Sequence, residues 1–222
     1  MMTNLFSAFD PATSTNLSLN WLSSTLFIFI LPSPYWAMHN QLQMMFKKLA
    51  NTLTGEFYML INKKSPITLI FFSLFFFLLI NNSLGLLPYI YTSSSQLIFS
   101  LSMALPMWFA FMLFGWIKNT TFMLAHLVPA GTPALLMPFM VCIETISNLI
   151  RPGSLAVRLT ANMIAGHLLM TLLGNNTLSV NSMIVPLIMM VQLGLMWFEA
   201  AVAIIQSYVF TVLGTLYSSE VI

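Results

Sequence analysis

Long apolar runs, interrupted at a few polar islands, set the organisation of this chain. Ile67 to Leu79 is nearly unbroken Phe, Leu and Ile, and the run continues past Asn81, Asn82 and Gly85 to Tyr91. A second run, Leu97 to Ile117, follows after the polar TSSSQ. Each is long enough to cross a hydrocarbon core of ~30 Å, and the short link predicts a helical hairpin over 67–91 and 97–117. Upstream, 17–38 (LSLNWLSSTLFIFILPSPYWAM) is mostly apolar and predicts a first span, its helix ended early by Pro32 and Pro34. Between these regions, 39–65 carries Leu42, Met45, Phe46, Leu49 and Leu53 at helical spacing. That stretch reads either as an amphipathic helix lying at the membrane surface or as a plain solvated loop.

The last two runs are abnormally long. Leu135 to Leu173 is 39 residues, which as one helix would extend roughly 58 Å, about twice what a perpendicular crossing needs. Ser182 to Tyr217 poses the same problem. The turn signal Arg151-Pro152-Gly153 offers a cut into two helices, but it leaves a marginal 16-residue span with Glu144 inside it. One steeply tilted helix avoids that, so 135–173 and 182–217 are expected to form a long tilted pair joined through Gly174 to Ser182. The predicted fold is an all-α integral membrane protein: one membrane domain over 1–222, about five membrane helices, the last two an antiparallel hairpin, and an interfacial amphipathic helix.

Composition removes the alternatives. With 59% hydrophobic residues, 5% charged and a mean hydropathy of +0.90, no soluble reading survives. Seven basic residues and a net charge of +2 are too few and too scattered for a nucleic-acid surface, so the expected partners are lipid and other membrane helices. Cys142 is the single cysteine and lies in an apolar run, which excludes a disulfide and a multi-thiolate cluster and predicts a small buried residue. Neither a secretory signal nor a transit peptide is visible in MMTNLFSAFDPATSTN.

Against this background the ionisable residues stand out. Glu144, Arg151, Arg158 and His167 sit in a run otherwise fit for hydrocarbon. An arginine at the bilayer centre costs roughly 2.5–3.5 kcal/mol on insertion scales, so Arg158 needs protein or water to stay there and marks a functional site. Glu144, Arg151 and Arg158 are spaced by seven and share one helix face, with Asn162 near the same stripe and His167 about half a turn away. Glu199 and Gln206 are also seven apart and give the last helix its own polar stripe. In an antiparallel hairpin, residues at equal depth have a constant sum of residue numbers. Arg158 with Gln206 gives 364 and His167 with Glu199 gives 366, so one register levels both pairs and sets Glu144 level with Glu220. Two polar half-paths with an arginine between them fit this distribution. The plainer readings are an Arg158 neutralised by Glu199 or Glu144, a His167 that only packs, Asn162 and Gln206 as interhelical hydrogen-bond glue, and Glu220 as a solvated charge.

The segment SLAVRLTANMIAGHLL, Ser154 to Leu169, with QSYVF at Gln206 to Phe210, resembles the family of membrane-embedded a subunits of F-type ATP synthases, in its mitochondrially encoded form. That resemblance implies a proton-conducting, non-catalytic stator subunit in the inner mitochondrial membrane. Its partners would be a ring of small proteolipid c subunits, the peripheral stalk and other membrane-sector subunits. It implies no cofactor and no metal. The residue matching Arg158 would face the ring carboxylates and separate two offset half-channels. His167 and Glu199 resemble the lining of the channel from the intermembrane space, and Glu144 in VCIETISNL resembles the acidic residue of the matrix-side channel. Asn162 and Gln206 flank the arginine on the same pathway. Arg151 lies outside the family pattern, so its role is open. Lys47, Lys48, Lys63, Lys64 and Lys118 place their loops on the matrix side, with the N-terminus towards the intermembrane space and the C-terminus towards the matrix. A haem cytochrome is disfavoured, because only His167 of the three histidines lies in an expected membrane interior. A proton pump or antiporter-like subunit is the rival, although no internal repeat is visible.

Overall fold

The computed structural model describes residues 4–14, 16–31, 35, 38, 40–61, 66–128, 133, 135–177 and 183–221. Described elements are all helical: short 3-10 turns at Leu5–Phe9, Leu19–Thr25 and Ser93–Ser95, and seven α-helices. The α-helices are α1 (Phe27–Ile30), α2 (Gln41–Ile61), α3 (Ile67–Gly85), α4 (Leu97–Lys118), α5 (Thr120–His126), α6 (Met137–Thr177) and α7 (Val185–Val221). By length and composition α3, α4, α6 and α7 are able to cross a membrane, and Leu19–Ile30 is a shorter apolar helical stretch where the first span is expected. Pro32, Pro34, Lys63 and Lys64 lie outside the described residues, as does most of the link between α6 and α7.

α6 is continuous over 41 residues and α7 over 37, or about 62 and 56 Å at 1.5 Å per residue. The turn signal at Arg151-Pro152-Gly153 therefore does not cut the chain. Pro152 removes one backbone hydrogen bond to the preceding turn, but it is buried against neighbouring helices, and packing holds the helix across the gap. At the hairpin, by contrast, α3 stops at Gly85 rather than running on to Tyr91. Leu87 precedes Pro88 and is biased away from the helical region, and Tyr89 adopts a φ of 68°, so the chain turns there.

Lipid gives helices no hydrophobic reason to associate, so close backbone approach has to do it. α7 presents a stripe of small residues, Ala203, Ser207, Thr211, Gly214, Thr215 and Ser218, all buried. A Cβ on Gly214 would meet the Phe71 ring of α3 at 2.6 Å, so this contact exists only because position 214 is glycine. The hydroxyls of Ser207, Thr211, Thr215 and Ser218 donate to carbonyls three or four residues back in α7, which leaves no exposed polar hydrogen in the interface. One core cluster, with Leu78, Phe99, Ala104, Leu155, Ala156, Leu159 and Phe210, joins α3, α4, α6 and α7.

The stretch 39–65 resolves in favour of the helix: α2 runs from Gln41 to Ile61 and packs Phe57 and Ile61 against Phe71 of α3. Two other expectations need correcting. Cys142 is exposed, not buried, because its side of α6 carries no covering helix of this chain. Glu220 is ion-paired rather than simply solvated, since the last turn of α7 reaches Arg151. Trp108 is half-buried on α4, and Trp116 is 45% exposed near that helix's end.

Candidate functional site

α6 and α7 lie antiparallel in the register that the residue sums predict. The Glu199 carboxylate rests directly on Gly166, where an added Cβ would overlap its Oε1 and come within 2.6 Å of its Cδ. Leu155 and Phe210 belong to one core cluster and line the same small cavity. Both pairs give 365, between the 364 and 366 of the expected pairs, so His167 and Glu199 fall at one level and Arg158 and Gln206 at another.

At the His167 level the site is open and its polar atoms lack partners. His167 Nε2 and Glu199 Oε2 are enclosed, and among the described residues neither has a hydrogen-bond partner. Glu199 is only 9% exposed. No hydrogen bond joins the two side chains directly. His167 instead lines a cavity of about 570 Å³ that also takes in Thr171, Asn175 and Gln192 from α6 and α7 and Phe9 from the N-terminal 3-10 turn. A cavity this size holds many waters, and His167 is the ionisable side chain on its wall, with the Glu199 carboxylate packed behind it on Gly166.

The N-terminal turn closes one side of this cavity. The Phe9 carbonyl accepts hydrogen bonds from Gln96 Nε2 at 2.6 Å and from the Tyr91 hydroxyl at 3.2 Å, and Gln96 also donates to Tyr91 Oη at 2.9 Å. The Phe9 ring meets the His167 ring edge-on, with centroids 6.5 Å apart. Burial pushes the Tyr91 phenol above its ordinary pKa, the Gln96 hydrogen bond opposes this, and the Asp10 charge adds to it. Tyr91 thus stays a neutral donor.

At the opposite end the charges satisfy one another. Arg151 Nη1 bonds Glu220 Oε2 at 2.8 Å, its Nη2 lies 3.7 Å from Glu144 Oε1, and its guanidinium carbon sits 5.1 Å from the centre of the Tyr217 ring. Glu144 is thereby neutralised from its own helix, not by Arg158.

Arg158 lies between these ends and differs from both. It is exposed on α6, and among the described residues it makes no hydrogen bond or ion pair. The packing face of α6 is Pro152, Leu155, Ala156, Leu159, Thr160 and Met163, so Arg158 and the exposed Asn162 occupy the side turned away from this chain's other helices. Gln206 is half-buried at the same level on α7. Neither carboxylate neutralises Arg158 here: Glu144 lies against Arg151, and Glu199 rests on Gly166 with no ion pair to Arg158 among the described residues.

Sequence reasoning missed Gly166, Gln192, Phe9 and the Arg151–Glu220 pair. Gln192 was findable, because it precedes Glu199 by the same seven residues that separate Glu199 from Gln206. Phe9 carries no signal in its own segment.

The profile of the family described as ATP synthase A chain matches residues 17–219. Relatives named ATP synthase subunit a are similar over their whole length and the whole of this chain: 60% identical in Aedes aegypti, and 59% in both Drosophila melanogaster and Anopheles gambiae.

Proposed function

From the ATP synthase A chain family, to which this chain belongs, we propose that the protein is the proton-conducting stator subunit of the ATP synthase membrane sector. It is non-catalytic in itself, spans the inner mitochondrial membrane several times, and works against a ring of small proteolipid c subunits while the peripheral stalk holds it. The observation that carries this reading is Arg158: an exposed guanidinium midway along an apolar helix, with no ion pair or hydrogen bond among the described residues and on the side away from the packing face of α6. Such a charge is stable only when an outside group meets it, and a passing carboxylate does so.

The proposed cycle follows from the charges. Protons reach the ring from the intermembrane-space side through the cavity at Phe9 and His167, relayed by His167 and Glu199, with Gln206 and Asn162 flanking the arginine. A ring carboxylate arriving beside Arg158 is favoured in its charged form, so it gives up its proton to the other half-path, which leads past Glu144 to the matrix. Arg158 keeps its own proton throughout and therefore blocks direct conduction between the half-paths. The helix pair would lie steeply inclined, since each is about twice the length of a perpendicular crossing. The proposed orientation puts α2, which carries Lys47, and the end of α4 at Lys118 on the matrix side, with the N-terminus opposite and the C-terminus in the matrix; the positive-inside bias supports it.

Purification in mild detergent tests the assembly: a multi-copy small proteolipid and a soluble ATPase should accompany the chain. The same membranes test sidedness. Lys47 and Lys118 should react with an impermeant amine reagent only from the ATPase-bearing face, and reaction only from the other face would invert the topology.

A further inference from the structure

Two arginines lie on one face of α6, seven residues or roughly 10 Å apart, and are treated oppositely by the fold. Among the described residues Arg158 has no ion pair, whereas Arg151 is half-buried and engages two carboxylates and an aromatic ring. We propose that Arg151 is a positioning residue of the proton path: its guanidinium ties Glu144 of α6 to Glu220 of α7, fastens the last turn of α7, and presents Glu144 in one orientation at that end of the helix pair. The inference rests on the reading of Glu144 as a path residue.

The geometry suits arginine in particular. A planar fork can direct one nitrogen to each of two carboxylates, here Nη1 to Glu220 and Nη2 towards Glu144, while its face stacks on Tyr217. Without the cation, two carboxylates brought to one end of the helix pair would repel and swing apart. With it, the cluster carries one positive and two negative charges, so a net negative charge remains where a released proton must be drawn off. The 3.7 Å to Glu144 against 2.8 Å to Glu220 is an unequal grip. Glu220 is the anchor, and Glu144 is the carboxylate held at longer range. The contacts across the end of the pair agree: a Cβ on Gly115 of α4 would meet Val221 Cγ1 at 2.9 Å, so the last turn of α7 is also packed where Arg151 holds it.

The test uses assembled ATP synthase in vesicles, measuring proton flux through the membrane sector. A disulfide between cysteines placed at 155 and 210, in a Cys142→Ser background, reports α6–α7 packing. Arg151→Gln should lower flux about tenfold, the scale of one charge-assisted hydrogen bond, and weaken the crosslink. Arg151→Lys keeps the charge but loses the fork, so it should assemble and retain more flux than the glutamine variant. The decisive variant is the swap Arg151→Glu with Glu220→Arg. It re-forms the link to α7 and should restore the crosslink, yet flux should stay low because residue 151 is then acidic beside Glu144. Restoration of both crosslink and flux by the swap would reduce Arg151 to a plain latch and overturn the proposal. Glu144→Gln separates the two readings: if it leaves flux intact, the path through Glu144 is wrong, whereas flux that falls in Glu144→Gln but not in Arg151→Gln overturns only the role of Arg151.

Discussion

At one end of the α6–α7 pair, His167 lines an open cavity of about 570 Å³, and it and Glu199 each bury a polar atom with no partner among the described residues; at the other, Glu144 and Glu220 converge on Arg151, and the cavity at Pro152 and Tyr217 is only about 20 Å³. Both ends belong to the same two helices, so helix type does not explain the contrast. The arginine and the packing around it do. Near His167 the cavity is lined by the small Gly174 and Thr171 of α6 and closed by the N-terminal 3-10 turn and the 85–92 segment, which leaves room for water. Near Arg151 the large Tyr217 and the long arginine fill the space, and the carboxylates are satisfied by protein instead. At the Arg151 end a cation meets the carboxylates, whereas at the His167 end the volume beside the imidazole leaves room for water instead.

The strongest way to break this comparison is to remove the charge that separates the two ends. Arg158→Ala should abolish proton-driven ATP synthesis, a loss of ~100-fold or more for a lost electrostatic stabiliser at a reacting charge. Passive proton leak through head-stripped membranes should persist or rise. Normal assembly with near-native synthesis would return Arg158 to a structural role.

A smaller effect should come from the open end alone. Glu199→Ala or His167→Ala should slow proton uptake on the order of 100-fold or less, the range of a single acid–base group, without any leak, because each sits on one path and not between two. Leak in either variant equal to that of Arg158→Ala would show that the ends are not separate.

The smallest effect tests the packing explanation itself. Gly166→Val fills the place of the Glu199 carboxylate, and relief of an overpacked contact costs ~1–3 kcal/mol. Flux should fall about tenfold, which corresponds to the lower part of that range. In a Glu199→Ala background the same substitution should have little further effect. An equal loss in both backgrounds would mean that Gly166 matters for helix packing and not for the carboxylate.

Much of this molecule was legible in one dimension because the bilayer imposes its rules on local sequence. A helix in hydrocarbon must satisfy its own backbone, so long apolar runs predicted α3, α4, α6 and α7 with only their ends misplaced, as at Gly85. The spacing of seven along Glu144, Arg151 and Arg158, and the residue sums across the hairpin, were enough for the α6–α7 register, since both follow from fixed helix geometry. What the one-dimensional pattern did not contain was which charge pairs with which. Glu144 is seven residues from Arg151 and fourteen from Arg158, and one face holds all three. The choice fell to Arg151 because Glu220 and Tyr217 of α7 come within its reach, while among the described residues no carboxylate comes within reach of the exposed Arg158. Phe9 meets His167 across more than 150 residues of chain, and Glu199 settles on Gly166 only where two backbones approach closely. Electrostatic pairing and cavity volume are properties of the space between helices, and no single helix's sequence encodes that space.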